Sequence, residues 1–212
     1  MPPLHLLRLA AAQAAAASCC RQRLRRRFAG FARSSTSSSS PLILGIETSC
    51  DDTAAAVVSL DGRILGEAAS SQAAVHASYG GVVPRLAAAA HAAAIDATVL
   101  AALRNAHVEP RQLAAVAVTL GPGLAMCLRV GVAAARKLAS AHSLPLIYVH
   151  HMEAHALVAR LCGGGVDGAV RFPYVALLVS GGHTLFVLVH SVGKHTLLGG
   201  TLDDALGEAC AF

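Results

Sequence analysis

Two histidines four residues apart carry the clearest chemistry in this chain. They are His151 and His155, in the stretch Pro145-Leu-Ile-Tyr-Val-His-His-Met-Glu-Ala-His155. On a helix that spacing stacks both imidazoles on one face, one turn apart. Two such nitrogens suit a first-row metal such as zinc or iron, with a third ligand drawn from elsewhere. The alternative is a pair of solvated or core histidines. A strand-to-helix junction just before the pair, and a third histidine at His150, favour the metal. Zinc-peptidase chemistry would need H-E-x-x-H, with Glu directly after the first His to reach a metal-bound water. Met152 occupies that place, Glu153 points around the helix, and the spacing from His150 fails as well.

Other polar segments could meet a ligand. Glu47-Thr-Ser-Cys-Asp-Asp-Thr53 offers hydroxyls, amides and carboxylates to phosphate or Mg²⁺, or is an ordinary Asx-rich turn. Cys50 is poorly placed as a nucleophile, because neighbouring acids raise a thiol pKa. Ser180-Gly-Gly-His-Thr184 has two glycines that allow close backbone approach and present N–H groups to anions, or form a simple hairpin. Gly121-Pro-Gly123 before a helix resembles an anion-binding helix N-terminus, but a lone G-x-G is weak evidence and a structural turn is the favoured reading. Asp203 and Asp204 are either an acid pair for metal or general acid–base work or a solvated helix N-terminus.

The elements that must position these residues follow from periodicity and turn chemistry. Residues 42–46, 53–60 and 63–69 read as strands, with Asp61-Gly62 a hairpin turn between the last two. Residues 85–107 form a long alanine-rich helix with Leu86, Ile95, Val99, Leu100 and Leu103 at helical spacing. Strand 113–120, turn 121–123, helix 124–142 and strand 146–149 then lead into the histidine helix. Residues 162–168 are a glycine-rich linker. A weak repeat begins at residue 175: strand, polar turn, strand, a Val192-Gly-Lys194 turn, and a third strand at 195–199. Two such openings predict a duplicated α/β architecture with mixed sheets. The second copy breaks off as a helix begins after Glu208. Its three strands are therefore expected to leave one face and an edge bare, to be covered by a partner unless the chain is a truncated product.

Charge separates the first 40 residues from the rest. They hold seven of the 17 basic residues and none of the 12 acids, so the net +5 belongs to this leader and marks no nucleic-acid surface elsewhere. Arg, Ala and Ser richness, the cluster at residues 21–27 and the serine run ending at Ser40 have the composition of a transit peptide, mitochondrial more than chloroplast. Arg8 interrupts the only apolar stretch of the leader, so no membrane span is expected there. Cysteines 19, 20, 50, 127, 162 and 210 form no C-x-x-C and read as reduced thiols.

In combination these motifs closely resemble the tRNA threonylcarbamoyladenosine transferase family over residues 42–210. The stretches are Leu44-Gly-Ile-Glu-Thr-Ser-Cys-Asp-Asp-Thr53, His76-Ala-Ser-Tyr-Gly-Gly-Val-Val-Pro84, Gly121-Pro-Gly-Leu124 with Val130-Gly131, His150-His-Met-Glu-Ala-His155, Leu178-Val-Ser-Gly-Gly-His-Thr184 and Asp203-Asp-Ala-Leu-Gly-Glu208. The resemblance implies an α/β, actin/Hsp70-like (ribonuclease H-like) duplicated fold with an incomplete second lobe. The corresponding division is a transit peptide at 1–40, a first lobe at 41–168 and the start of a second at 169–212.

It also implies transfer of a threonylcarbamoyl group from threonylcarbamoyl-AMP to N6 of the adenosine 3′ of a tRNA anticodon, in the mitochondrial matrix. One divalent metal, zinc or iron, would be held by His151 and His155 with an aspartate far downstream. The donor would contact Leu178, Val179, Ser180, Gly181 and Gly182. The expected partners are tRNA and a second copy of the chain, with no membrane. No catalytic residue is assigned. The family continues G-E-A-[FY]-D-K where this chain has Gly207-Glu-Ala-Cys-Ala-Phe212, which puts Ala211 at the substrate-binding Asp. A chain ending here is expected to bind metal weakly and to catalyse poorly alone. Competing readings are a non-catalytic isoform that binds a full-length paralogue, a metalloendopeptidase, or an ATP-dependent kinase of the same fold. The histidine pair disfavours the kinase, which would use Mg²⁺ with carboxylates.

Overall fold

The computed structural model of the chain describes residues 40–161 and 170–210. The transit-peptide reading, the glycine linker and Ala211 lie outside those residues. Strands β1 (Leu42–Glu47), β2 (Thr53–Ser59) and β3 (Ile64–Ser70) form a meander. A short helix α1 (Ala73–His76) and the long helix α2 (Pro84–Asn105) follow. Then come β4 (Leu113–Gly121), α3 (Ala125–Ala141), β5 (Leu146–His150) and α4 (His151–Leu157). The first sheet has the order β3-β2-β1-β4-β5, with β1, β4 and β5 parallel and β2 and β3 antiparallel to their neighbours. That order gives the first lobe its actin/Hsp70-like (ribonuclease H-like) fold.

Alternation along the strands builds two cores. Ile43, Ala54, Ala56, Ala115, Ala117 and Val149 face one side, with Ala154 and Leu157 of α4. Leu44, Ile46, Val57, Val116 and Val118 face the other, under Ile95, Val99 and Leu103 of α2 and Ala135 of α3. Strands buried on both faces read as continuous apolar runs, which is why β1 and β4 were legible. Helix α2 is long and apolar enough to cross a membrane. Here it lies along the sheet, against β2 and β3. Leu100, grouped above with its apolar positions, is 54% exposed. It sits one position round the helix from the buried stripe of Val99 and Leu103.

Small residues set the spacing of these layers. A methyl group on Gly66 of β3 would stand 2.6 Å from the Asn105 carbonyl carbon and 2.7 Å from the Ala102 oxygen at the C-terminal end of α2.

The second sheet repeats the opening meander: β6 (Tyr174–Val179), β7 (Thr184–Ser191) and β8 (Lys194–Gly200), all antiparallel, followed by a single turn α5 (Leu206–Ala209). The two β-turns correspond, with Gly62 at φ 87° and Gly193 at φ 73°, a left-handed conformation that glycine adopts without steric cost. One face packs Ala176, Leu178, Leu185, Val187 and Val189 onto the first core. The other exposes Val175, Val179 and Phe186, with Leu177 at 61%. The bare face expected from the sequence is present among the described residues.

The histidine of α2 is a structural strut. His91 is fully buried, Nδ1 lies 2.8 Å from Thr53 Oγ1, and Nε2 lies 3.1 Å from the Cys50 carbonyl oxygen. That carbonyl can only accept, so Nε2 carries the proton and Nδ1 accepts from the Thr53 hydroxyl. Burial depresses the His91 pKa below its usual 6.5, against the smaller raising effects of the Cys50 carbonyl and the nearby acids. Above about pH 6.5 the group is neutral in both the folded and the unfolded chain and adds no pH dependence. Below that value the unfolded chain takes up a proton that the folded one resists, so stability falls with pH until the folded pKa is reached. We expect the urea midpoint to drop between pH 7 and 5.5. His91→Gln should lower stability by about 1–3 kcal/mol at pH 7 and flatten part of that slope.

Candidate metal centre

Three parallel strands end side by side, and their ends build the site. In the register, Ile46 pairs with Val118 and Thr119 with Val149, so Glu47, Thr119 and the β5–α4 junction form one row at the carboxyl edge of the sheet. Open α/β sheets bind their ligands beyond this edge. Helix α4 starts directly at His151 and is anchored by buried Met152, Ala154, Ala156 and Leu157, which leaves His151 and His155 on the remaining face.

The two histidines converge. Nε2 of His151 lies 3.1 Å from Nε2 of His155, with ring centroids 4.5 Å apart and planes nearly perpendicular. Two imidazole nitrogens on one tetrahedral ion, each about 2.0–2.1 Å from it, stand roughly 3.3 Å apart. The pair therefore fits half of a metal site. Among the described residues, no group of three His, Cys, Asp or Glu side chains completes it.

Behind His151 sits Glu47, only 1% exposed. Its Oε2 is 3.2 Å from His151 Nδ1 and accepts the Thr119 hydroxyl at 2.7 Å, while Oε1 accepts the Ser49 backbone N–H at 2.5 Å. Burial alone would raise this carboxyl. The hydrogen bond and charge of His151, with Ser49 and Thr119, outweigh it and hold the group below the ordinary carboxylate range. Sequence reasoning placed Glu47 in a phosphate or Mg²⁺ turn and left Thr119 unremarked. The signal that could have found them was position: Glu47 ends β1 and Thr119 lies near the carboxyl end of β4, both central parallel strands.

Thr48 and Asp52 of the 47–53 turn are tied inward, while Cys50 is exposed. Thr48 Oγ1 donates to the Cys127 carbonyl at 2.9 Å, and Asp52, buried, accepts the Gln72 N–H at 3.0 Å. The Cys50 thiol is pushed up to about 12, by burial first and then by Asp51, in keeping with its reading as a poor nucleophile. Gly121-Pro-Gly123 proves a structural turn. A methyl group on Gly123 would stand 2.5 Å from the Ser49 oxygen, and the Leu124 N–H donates to that oxygen at 2.7 Å.

In the second sheet, Leu178, Val179, Ser180, Gly181 and Gly182 form the end of β6 and the turn into β7. Ser180 N–H donates to the His183 oxygen at 2.8 Å, and Gly181 and Gly182 are exposed with open space where a side chain would lie. The turn is backed by α5: Gly207 abuts Ser180, and the Leu206 N–H donates to Thr184 Oγ1 at 2.8 Å. Asp203 and Asp204 lie in the bend before that turn of helix, and not within it. Glu153 does point away from the histidine face. It accepts the Gly193 N–H at 2.6 Å and lies 3.7 Å from His195 Nε2, so it joins α4 to the β7–β8 turn.

Residues 63–211 match the family model described as TsaD: tRNA N6-adenosine threonylcarbamoyltransferase. A probable mitochondrial tRNA N6-adenosine threonylcarbamoyltransferase of Arabidopsis thaliana is 57% identical over 168 residues, 79% of this chain and 34% of that protein. The tRNA N6-adenosine threonylcarbamoyltransferase of Rhizobium meliloti is 53% identical over 171 residues, 79% of this chain and 46% of that one. The chain thus spans between a third and a half of the length of these curated relatives. Among solved structures, YeaZ from Pseudomonas aeruginosa aligns at TM-score 0.46 and 20% identity, covering 75% of this chain and 64% of its own. The Aquifex aeolicus PPX-GPPA enzyme aligns at TM-score 0.40 and 10% identity, covering 76% of this chain and 51% of its own.

Proposed function

The chain belongs to the tRNA N6-adenosine threonylcarbamoyltransferase family, and on that premise we propose that it provides the metal-binding first lobe and the donor-binding turn of such an enzyme, acting in mitochondria. The reaction is transfer of the threonylcarbamoyl group from threonylcarbamoyl-AMP to N6 of the adenosine 3′ of the anticodon. The observation that carries this reading is the convergence of His151 Nε2 and His155 Nε2 at 3.1 Å, beyond the carboxyl edge of the parallel strands. These two side chains would hold one zinc or iron ion, completed by a ligand beyond the described residues. When bound, the ion supplies Lewis-acid stabilisation to phosphate or carbamoyl oxygens. Glu47 holds the His151 ring, and the exposed Ser180–Gly182 turn offers backbone to the adenylate. The name of the Arabidopsis relative supports mitochondrial action.

A single-turnover assay tests the reading. The 212-residue chain, zinc, threonylcarbamoyl-AMP and a tRNA transcript are mixed, and the modified nucleoside is read by mass spectrometry. We expect slow modification that the double variant His151→Ala, His155→Ala abolishes. Modification that is indifferent to both histidines would refute the assignment.

The exposed face of the second sheet favours a second reading, in which this chain binds a longer member of its family and modulates it. Size-exclusion of the mixture decides: co-elution supports the second reading, and two independent peaks refute it.

A further inference from the structure

The geometry points to Glu47 as a positioning residue that fixes which nitrogen of His151 carries its proton, leaving Nε2 open to the ion. This rests on the metal reading above. Oε1 of Glu47 accepts the Ser49 backbone N–H, a group that can only donate. Oε2 accepts the Thr119 hydroxyl at 2.7 Å and faces His151 Nδ1 at 3.2 Å. A carboxylate so held accepts only, so Nδ1 must be the protonated nitrogen. The Nε2 lone pair then points at the place shared with His155 Nε2. Ser49 Oγ, also 3.2 Å from Nδ1, is thereby cast as a second acceptor. Were the serine to donate instead, the Nδ1 lone pair would face the buried carboxylate oxygen and the proton would occupy the metal nitrogen.

An outer carboxylate of this kind orients a ligating imidazole and raises its basicity, and its loss typically costs 10–100-fold in metal affinity. The chain builds this support deliberately: an acid at the end of a fully buried strand would otherwise be expensive. Glutamine is nearly the same shape but carries an NH₂. With its carbonyl kept on the Ser49 N–H, its amide hydrogen meets Nδ1 and drives the proton to Nε2.

Two measurements on the full 212-residue chain test this. Long-range ¹⁵N–¹H spectra of the metal-free protein report the His151 tautomer, and calorimetric titration with zinc reports affinity. Wild type should show Nδ1–H. Glu47→Gln should shift the proton to Nε2 and weaken zinc about 10–100-fold. Thr119→Val, which leaves the carboxylate in place, should keep the Nδ1–H tautomer and stay within about tenfold of wild type. Should Glu47→Gln not fold, Glu47→Asp, one methylene short of the ring, gives the same readouts. Unchanged tautomer and affinity in the Glu47 variants, with wild type binding zinc, overturns the positioning role and leaves the metal reading intact. A wild type that takes up no zinc overturns both, whatever its tautomer.

Discussion

His155→Ala is expected to weaken zinc binding more than about 100-fold, beyond the range seen for outer-shell partners, while the chain stays folded. The two histidines differ in what else they hold. His151 is the partner of a buried carboxylate, so its removal takes one partner from Glu47, which keeps the Ser49 and Thr119 donors, and should cost about 1–3 kcal/mol of stability as well. His155 is half-buried on α4, and its Nε2 faces His151 Nε2 at 3.1 Å. Its alanine variant therefore separates loss of the ion from loss of the fold. Calorimetric zinc titration beside urea denaturation checks both. A zinc affinity within tenfold of wild type would remove the pair from the site.

The largest purely structural effect should come from Gly66→Ala. The added methyl would meet the backbone of Ala102, Asn105 and Ala106 at the end of α2, and backbone cannot rotate aside as a side chain can. Helix and strand would have to separate, opening the contact of α2 with β3 that closes this side of the sheet. Overpacking costs typically 1–3 kcal/mol, and at a backbone contact we expect about 3 kcal/mol or more. A urea midpoint shifted by less than the equivalent of 1 kcal/mol would show that the layer yields more easily than its geometry implies.

Much of this was written in the chain. Strands β1 and β4 announced themselves because both faces are buried, with Ile43, Ala115 and Ala117 on one side and Leu44, Val116 and Val118 on the other. The histidine spacing pointed to one helical face, and the structure brings both nitrogens together. What periodicity could not show was pairing across 72 residues between Glu47 and Thr119, or across 104 between Glu47 and His151. Those contacts depend on strand order and register, which no local pattern carries. The same holds for His91, which looks like any polar residue in an alanine-rich helix until Thr53 and the Cys50 carbonyl close around it. The 203–204 acid pair lies exposed in the bend just ahead of α5, which begins at Leu206.

Helix α4 is fastened from two directions. On one side His151 is tied to the end of β1. On the other, Glu153 grips the Gly193 amide and the Tyr174 hydroxyl donates to the Ala156 carbonyl at 2.7 Å. A short seven-residue segment is thus the axle on which both sheets ride. Swinging one sheet relative to the other must either snap a tether or turn the imidazoles, so motion between the sheets is felt directly at the paired histidine nitrogens.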